Sequence, residues 1–130
     1  MLVLDENLPE GQRLWLRNWR VHFRVVGVEV AASGTRDENL IPVLHRLPQP
    51  TFFTLDRDFF RPGLPHAGYC LVWLDVRGKH AADFIRRFLK HPQFDTQAKR
   101  LGAVVRVQVG GLQFWRVGSH QEHTAPRPAA

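Results

Sequence analysis

Cysteine is nearly absent: Cys70 is the only one. No internal disulfide can form, and the chain suits a reducing compartment. The residue sits in the apolar run Tyr69-Cys70-Leu71-Val72-Trp73-Leu74, which reads as a buried, inert thiol rather than a nucleophile. Long hydrophobic stretches are missing too; none approaches the roughly 20 residues that a membrane helix requires. Asp5 and Glu6 interrupt the N-terminus before an apolar region can develop, so it does not read as a signal peptide. These absences predict a soluble, cytoplasmic protein with no membrane partner. Neither a Ser/His/Asp set nor a phosphate-binding glycine loop is visible, and no internal repeat occurs.

What is present is enough for one ordinary domain. The 130 residues can bury a core of respectable size, and 44% apolar with 23% charged residues is a globular composition. Lys and Arg outnumber Asp and Glu by 18 to 12, for a formal net charge of +6. The excess is mostly arginine, the side chain suited to bidentate phosphate contacts. A basic surface fits a polyanionic substrate, and it also fits solubility alone.

Periodicity divides the chain into alternating elements. Leu2 to Asp5 reads as a short buried strand, and a helix entered through Pro9 extends to about Trp19. Val21 to Val26 reads as a second strand, with Val28 to Val30 as its extension. After the small-residue loop Ala31 to Arg36, Thr35 and Glu38 have capping-box spacing for a second helix. Pro42 falls inside that helix and predicts a short, kinked or late-starting one. Thr51 to Leu55 and Tyr69 to Val76 are the third and fourth strands, joined by the Pro/Gly-rich loop Arg61 to Gly68. Lys79 to His91 is an amphipathic helix. Ala103 to Val109 and Leu112 to Val117 form a hairpin turned at Gly110-Gly111. The expected fold class is α/β, a three-layer sandwich with a mainly parallel central sheet and a C-terminal hairpin. Residues 1–118 make the domain, and 119–130 read as a disordered C-terminal tail. His120 and His123 fall in that tail, as exposed or tag-like residues rather than metal ligands. Trp15, Trp19, Trp73 and Trp115 read as core, leaving no evident RNA-stacking motif.

Two apolar runs end abruptly on aspartate: Leu2-Val3-Leu4-Asp5 and Phe53-Thr54-Leu55-Asp56. Parallel strands that end this way deliver their carboxylates to the carboxyl edge of the sheet, where open α/β folds bind ligands. Asp37, at the start of the second helix, and Asp58, just after Asp56, would join them. Each of these two has a simpler reading as well, Asp37 as an acid favoured in a first helical turn and Asp58 as a turn residue. Like charges gathered at one edge repel unless a cation joins them, which points to a hard, oxygen-seeking ion such as Mg²⁺ or Mn²⁺. Glu6 and Glu38 flank the principal acids, Asn7 is a hydrogen-bonding turn residue, and Thr54 is placed to orient Asp56. Arg57, Arg61 and Lys79 lie near the same edge as RNA-binding candidates, or as ordinary solvated surface.

The segments Leu2-Val3-Leu4-Asp5-Glu6-Asn7-Leu8-Pro9, Arg36-Asp37-Glu38-Asn39-Leu40-Ile41 and Thr54-Leu55-Asp56-Arg57-Asp58-Phe59 resemble the small PIN-like proteins, reduced relatives of the PIN-domain ribonucleases that act as VapC-type toxins. The resemblance runs in order over about residues 1–118. It implies a PIN-like three-layer sandwich and a metal-dependent endoribonuclease. Asp5 and Asp56 would then be metal ligands, Asp37 the acid from the second helix, and Asp58 a ligand directly or through water. It further implies an RNA substrate, a small antitoxin protein encoded adjacently, and a toxin–antitoxin role; a homodimer is compatible. Pro42 and the stretch Pro48 to Pro50 depart from the family pattern and bear on how Asp37 is oriented. The alternative reading keeps the PIN-like fold as a protein-binding module with weak or no nuclease activity.

Two other families place acids similarly and fit less well. A receiver-type signalling domain needs Ser or Thr after its fourth strand and Lys ending its fifth, where this chain has Leu74-Asp75-Val76-Arg77 and Arg106-Val107-Gln108. A haloacid-dehalogenase-like phosphatase needs Thr or Val two residues after the second Asp, where Phe59-Phe60 stands.

Overall fold

The computed structural model describes residues 1–35 and 37–127, and no side chain at Asp37. The parallel elements come first: β1 (Leu2–Leu4), α1 (Glu10–Asn18), β2 (Arg24–Val25), α2 (Asp37–Arg46), β3 (Thr51–Thr54), β4 (Cys70–Asp75), α3 (Ala81–Lys90), α4 (Gln97–Arg100) and β5 (Ala103–Gln108). Two antiparallel strands follow, β6 (Gly111–Arg116) and β7 (His123–Pro126). Short 3₁₀ turns at Arg57–Phe59 and Gly78–His80 precede β4 and α3. All strands join one seven-stranded sheet in the order β2-β1-β3-β4-β5-β6-β7. The parallel part reverses direction between β1 and β3, the switch point where doubly wound sheets open a crevice. No helix among the described residues is long and apolar enough to cross a membrane.

The central strands read as continuous apolar runs because both of their faces are covered. Side chains alternate across the sheet. Leu4, Phe53, Val72 and Val105 enter a core beneath α1 and α3, with Leu16, Phe84 and Phe88. Val3, Phe52, Leu71 and Val104 enter a second core beneath α2, with Leu40, Leu44 and Phe59. The register locks the two sets together: Leu4 pairs with Phe53 and Phe53 with Val72, one residue along from Val3 with Phe52 and Phe52 with Leu71.

The crossovers differ in hand. α2 carries the chain from β2 to β3 over one face, and α3 carries it from β4 to β5 in the same direction over the other. One of the two therefore departs from the usual right-handed rule. As a consequence no α-helix among the described residues crosses the α2-side face of β4 to β7; over β4 and β5 that face is covered in part by the 3₁₀ turn Arg57–Phe59, where Phe59 shares a core with Leu71 and Val104.

Several elements depart from the expectation. β2 is two residues long rather than Val21 to Val26. Arg20 turns at φ 62° and Val21 is still hydrogen-bonded to Leu16, while Gly27 (φ 86°) turns the chain again after Val25. Val26 meets Val30 only in an isolated bridge. α2 runs unbroken through Pro42, which lies on the exposed side, where water can take up the carbonyl freed by the missing N–H. The expected tail contains a strand: His123–Pro126 pairs with β6 at the sheet edge, a position that tolerates proline. Gly111 fits here because a Cβ at this position would approach the Ala125 carbonyl to 2.8 Å. His123 stacks on Phe114 at 5.3 Å, and residues 128–130 lie outside the described residues.

Of the tryptophans expected in the core, only Trp19 packs against it, and none is fully buried. Trp15 is 52% exposed, because Leu16 is the α1 residue that turns inward. Trp19, Trp73 and Trp115 are half-buried.

Candidate active site at the carboxyl edge

β1 and β3 are adjacent and parallel, so the residues following them meet at the switch point. Asp5 extends the ladder by one step, its N–H donating to the Phe53 carbonyl at 2.9 Å. Its carboxylate is buried and accepts twice, from the Glu6 N–H at 2.8 Å and from the Thr54 hydroxyl at 2.7 Å. Thr54 is the hub. Its oxygen also accepts from Asn7 Nδ2 at 3.2 Å and from the Asp56 N–H at 3.0 Å, so its own hydrogen is left for Asp5. Asn7 is oriented without ambiguity, because its Oδ1 accepts the Leu55 N–H at 3.3 Å. Asp56 closes the network by accepting the Asp58 N–H at 2.9 Å, which starts the 3₁₀ turn. Thr54 thus holds the backbone at Asp56 and the carboxylate of Asp5 together.

Burial pushes the Asp5 carboxyl above its ordinary value; the Thr54 and Glu6 hydrogen bonds oppose this, and the negative charges of Glu6 and Asp56 add to it. Among the described residues no ion pair involves Asp5 or Asp56; the pairs present are Arg87–Asp83, Lys99–Asp95 and Arg106–Asp75. A cation at this place would relieve both the burial cost and the mutual repulsion.

The other candidate residues divide. Asp58 is exposed and lines a cavity of about 330 Å³ with Glu38, Ile41, Phe59, Arg61 and Leu64. Arg61 Nε donates to the Asp58 carbonyl at 2.9 Å, and Arg57 is exposed on the same turn. Glu6 points elsewhere: it accepts from Ser33 Oγ at 2.9 Å and the Gly34 N–H at 2.7 Å, tying down the loop before α2. Lys79 lines a separate depression with Gln12, Trp15 and Trp19 on the α1–α3 side. Asp37 begins α2 as expected; its side chain lies outside the described residues.

A full carboxylate cage is not formed: among the described residues no three His, Cys, Asp or Glu side chains converge on one metal position. The pair that does meet suits an ion that keeps most of its waters, since Mg²⁺ commonly takes only one or two protein carboxylates. Each oxygen of Asp5 spends one lone pair on its hydrogen bond and retains another. Asp5 and Asp56 are therefore the residues that would hold such an ion, while Asp58 and Glu38 line the neighbouring cavity.

One further acid stands at this edge, outside the acids expected to form the site. Asp75 ends β4 as Asp5 and Asp56 follow β1 and β3, but it is paired, with Arg106 Nη2 at 2.6 Å and Nε at 3.0 Å. The apolar run before Asp75 was a usable signal; the partner, 31 residues on, emerges only from the register of β4 and β5. Compared with family models, curated proteins and solved structures, the chain matches none.

Proposed function

We propose that the protein is a PIN-like, divalent-metal-dependent endoribonuclease and the toxin of a toxin–antitoxin pair, with a small antitoxin encoded beside it. The observation that carries this reading is the unpaired couple of Asp5 and Asp56, bound into one network through Thr54 at the β1–β3 switch point. A bound Mg²⁺ or Mn²⁺ would supply polarisation of a phosphoryl oxygen and acidification of a water. The chain's own part is positional. Thr54 and the Glu6 N–H hold Asp5 so that its free lone pairs are presented, and Asn7 keeps the Thr54 hydroxyl aimed. Arg61 and Arg57 stand beside the Asp58 turn, where a phosphodiester could be drawn toward the acids. Asp5→Asn should abolish Mn²⁺-dependent RNA cleavage while far-UV circular dichroism stays native; undiminished cleavage would overturn the assignment.

A second reading, a protein-binding module on the same fold, is favoured by Leu14 and Trp15, which are 51% and 52% exposed side by side on α1. It predicts that Leu14→Ser with Trp15→Ser abolishes partner capture, and that Asp5→Asn leaves the biological effect intact.

A further inference from the structure

The α2-side face of β4, β5, β6 and β7 carries no α-helix among the described residues, and beyond the 3₁₀ turn Arg57–Phe59, which covers Leu71 and Val104, it is not a plain polar surface. Trp73, Arg106, Gln113 and Thr124 form one cross-strand row, paired in register from strand to strand. Arg106 lies over the Trp73 ring with its guanidinium carbon 4.9 Å from the centroid. All three of its nitrogens are engaged at their edges, Nε and Nη2 by Asp75 and Nη1 by Gln113. The guanidinium is thereby fixed flat, with its side chain still 30% exposed. Beside it Phe60 packs on Trp115 at 4.4 Å and 32°, and on Trp73 at 5.8 Å and 41°. The series Trp115–Phe60–Trp73–Arg106 is a run of half-buried π surfaces.

We propose that this face is a stacking platform for the unpaired bases of a single-stranded RNA whose backbone leads into the Asp5–Asp56 site. Three observations select this occupant. First, the platform is continuous with the site: Trp73 is the register partner of Thr54, one strand spacing away, and Phe60 belongs to the turn that carries Asp58. Second, the chain is basic, and Arg57, Arg61 and Arg77 are exposed around the same edge, which suits a phosphate backbone. Third, the middle of the row is a polar lattice of Asp75, Arg106 and Gln113. An apolar protein surface would desolvate that lattice without replacing its water contacts, whereas a base stacks on a guanidinium plane and leaves the edge hydrogen bonds intact. The bases of a duplex are already stacked on one another and have no free face to offer. The choice of RNA as the polymer rests on the function proposed above; the platform itself does not.

The test is binding of a fluorescein-labelled eight-nucleotide oligoadenylate in EDTA, so that no cleavage is needed, read by anisotropy and by quenching of tryptophan emission. Stacking predicts quenching in the unaltered protein and a dissociation constant raised roughly tenfold or more in Trp115→Ala and in Trp73→Ala, in line with the cost of losing one base–aromatic stack. Trp115→Phe should restore most of the affinity, and Trp15→Ala, on the other side of the molecule, should leave it unchanged. Absence of quenching in the unaltered protein, equal affinity for a blunt-ended two-strand duplex, or unchanged affinity in folded Trp73→Ala and Trp115→Ala would each overturn the platform. So would a concentration-dependent dimer, seen by light scattering, that these variants abolish. The two proposals fail separately. Platform-dependent binding without Asp5-dependent cleavage removes the ribonuclease and keeps the platform. Cleavage with unchanged KM in the Trp73/Trp115 double variant does the reverse.

Discussion

The two halves of the sheet treat their acids and their faces in opposite ways. On the β2-β1-β3 side both faces are sealed by helices or loop, and the carboxylates at the edge, Asp5 and Asp56, are left without a cation among the described residues. On the β4-to-β7 side one face has no α-helix among the described residues and is covered only in part, by Phe59 and Phe60, and the edge acid Asp75 is paired with Arg106. The same sequence signal, an apolar run ending on aspartate, thus has two outcomes. A paired acid at a strand end is a structural fixture. An unpaired and buried one has a cost that folding alone does not explain, and it is there that a ligand is to be sought.

The sharpest way to break this comparison is to remove one large side chain from each half. Phe53 is fully buried between β1, β4 and α3 and meets Phe88 edge to face at 5.8 Å. Phe53→Ala should cost about 3–5 kcal/mol, as deletions of a buried aromatic do. Trp115→Ala removes a larger ring from the β4-to-β7 face, but one already half in water, and should cost about 1–2 kcal/mol. Urea denaturation of both variants checks the pair. Equal losses would mean that the β4-to-β7 face is covered in solution.

A second test addresses the acids directly. Asp5→Asn with Asp56→Asn should abolish Mn²⁺ binding in calorimetry, and Asp5→Asn alone should weaken it about tenfold or more, which corresponds to roughly 1.4 kcal/mol. Asp75→Asn should leave Mn²⁺ binding unchanged and weaken only the half-exposed pair with Arg106, a change of about 1 kcal/mol or less in stability. If Asp75→Asn abolished metal binding and Asp5→Asn did not, the roles assigned to the two halves would be reversed.

Much of this division was legible in the chain, for identifiable reasons. Continuous apolar runs at Leu2, Phe52 and Leu71 announce strands buried on both faces, and the aspartates that follow them announce the edge. Proline was the misleading signal. Pro42 suggested a short, kinked or late-starting helix, although the bond it deletes lies on the wet side of α2, and Pro126 concealed an edge strand that needs no donor there. Trp73 and Trp115 misled for another reason: hydrophobicity says that a ring seeks cover, but not which face of the sheet lacks an α-helix. That depends on α3 crossing on the side opposite α2, a choice written in no local pattern. The network around Thr54 was half visible, because its link to Asp56 is local, while its link to Asp5 spans 49 positions and required the β1–β3 pairing.

The smallest effect expected is also the one that separates a cation site from a buried acid of no consequence. Burial holds the Asp5 carboxyl above its ordinary 3.8, so the folded protein binds this proton more tightly than the unfolded chain does. The associated stability is fully present below pH 3.8 and is lost as the pH rises through the raised folded value. In EDTA, stability should therefore carry a small declining contribution across that window, absent in Asp5→Asn. Saturating Mn²⁺ should cancel or invert it, because the metal competes with the proton for the same oxygens. The check is thermal unfolding between pH 4 and pH 7, with and without Mn²⁺, in the unaltered protein and in Asp5→Asn. A pH slope that Mn²⁺ leaves untouched, and that Asp5→Asn still shows, would place the titrating acid elsewhere and return the Asp5–Asp56 couple to the same structural standing as Asp75 and Arg106.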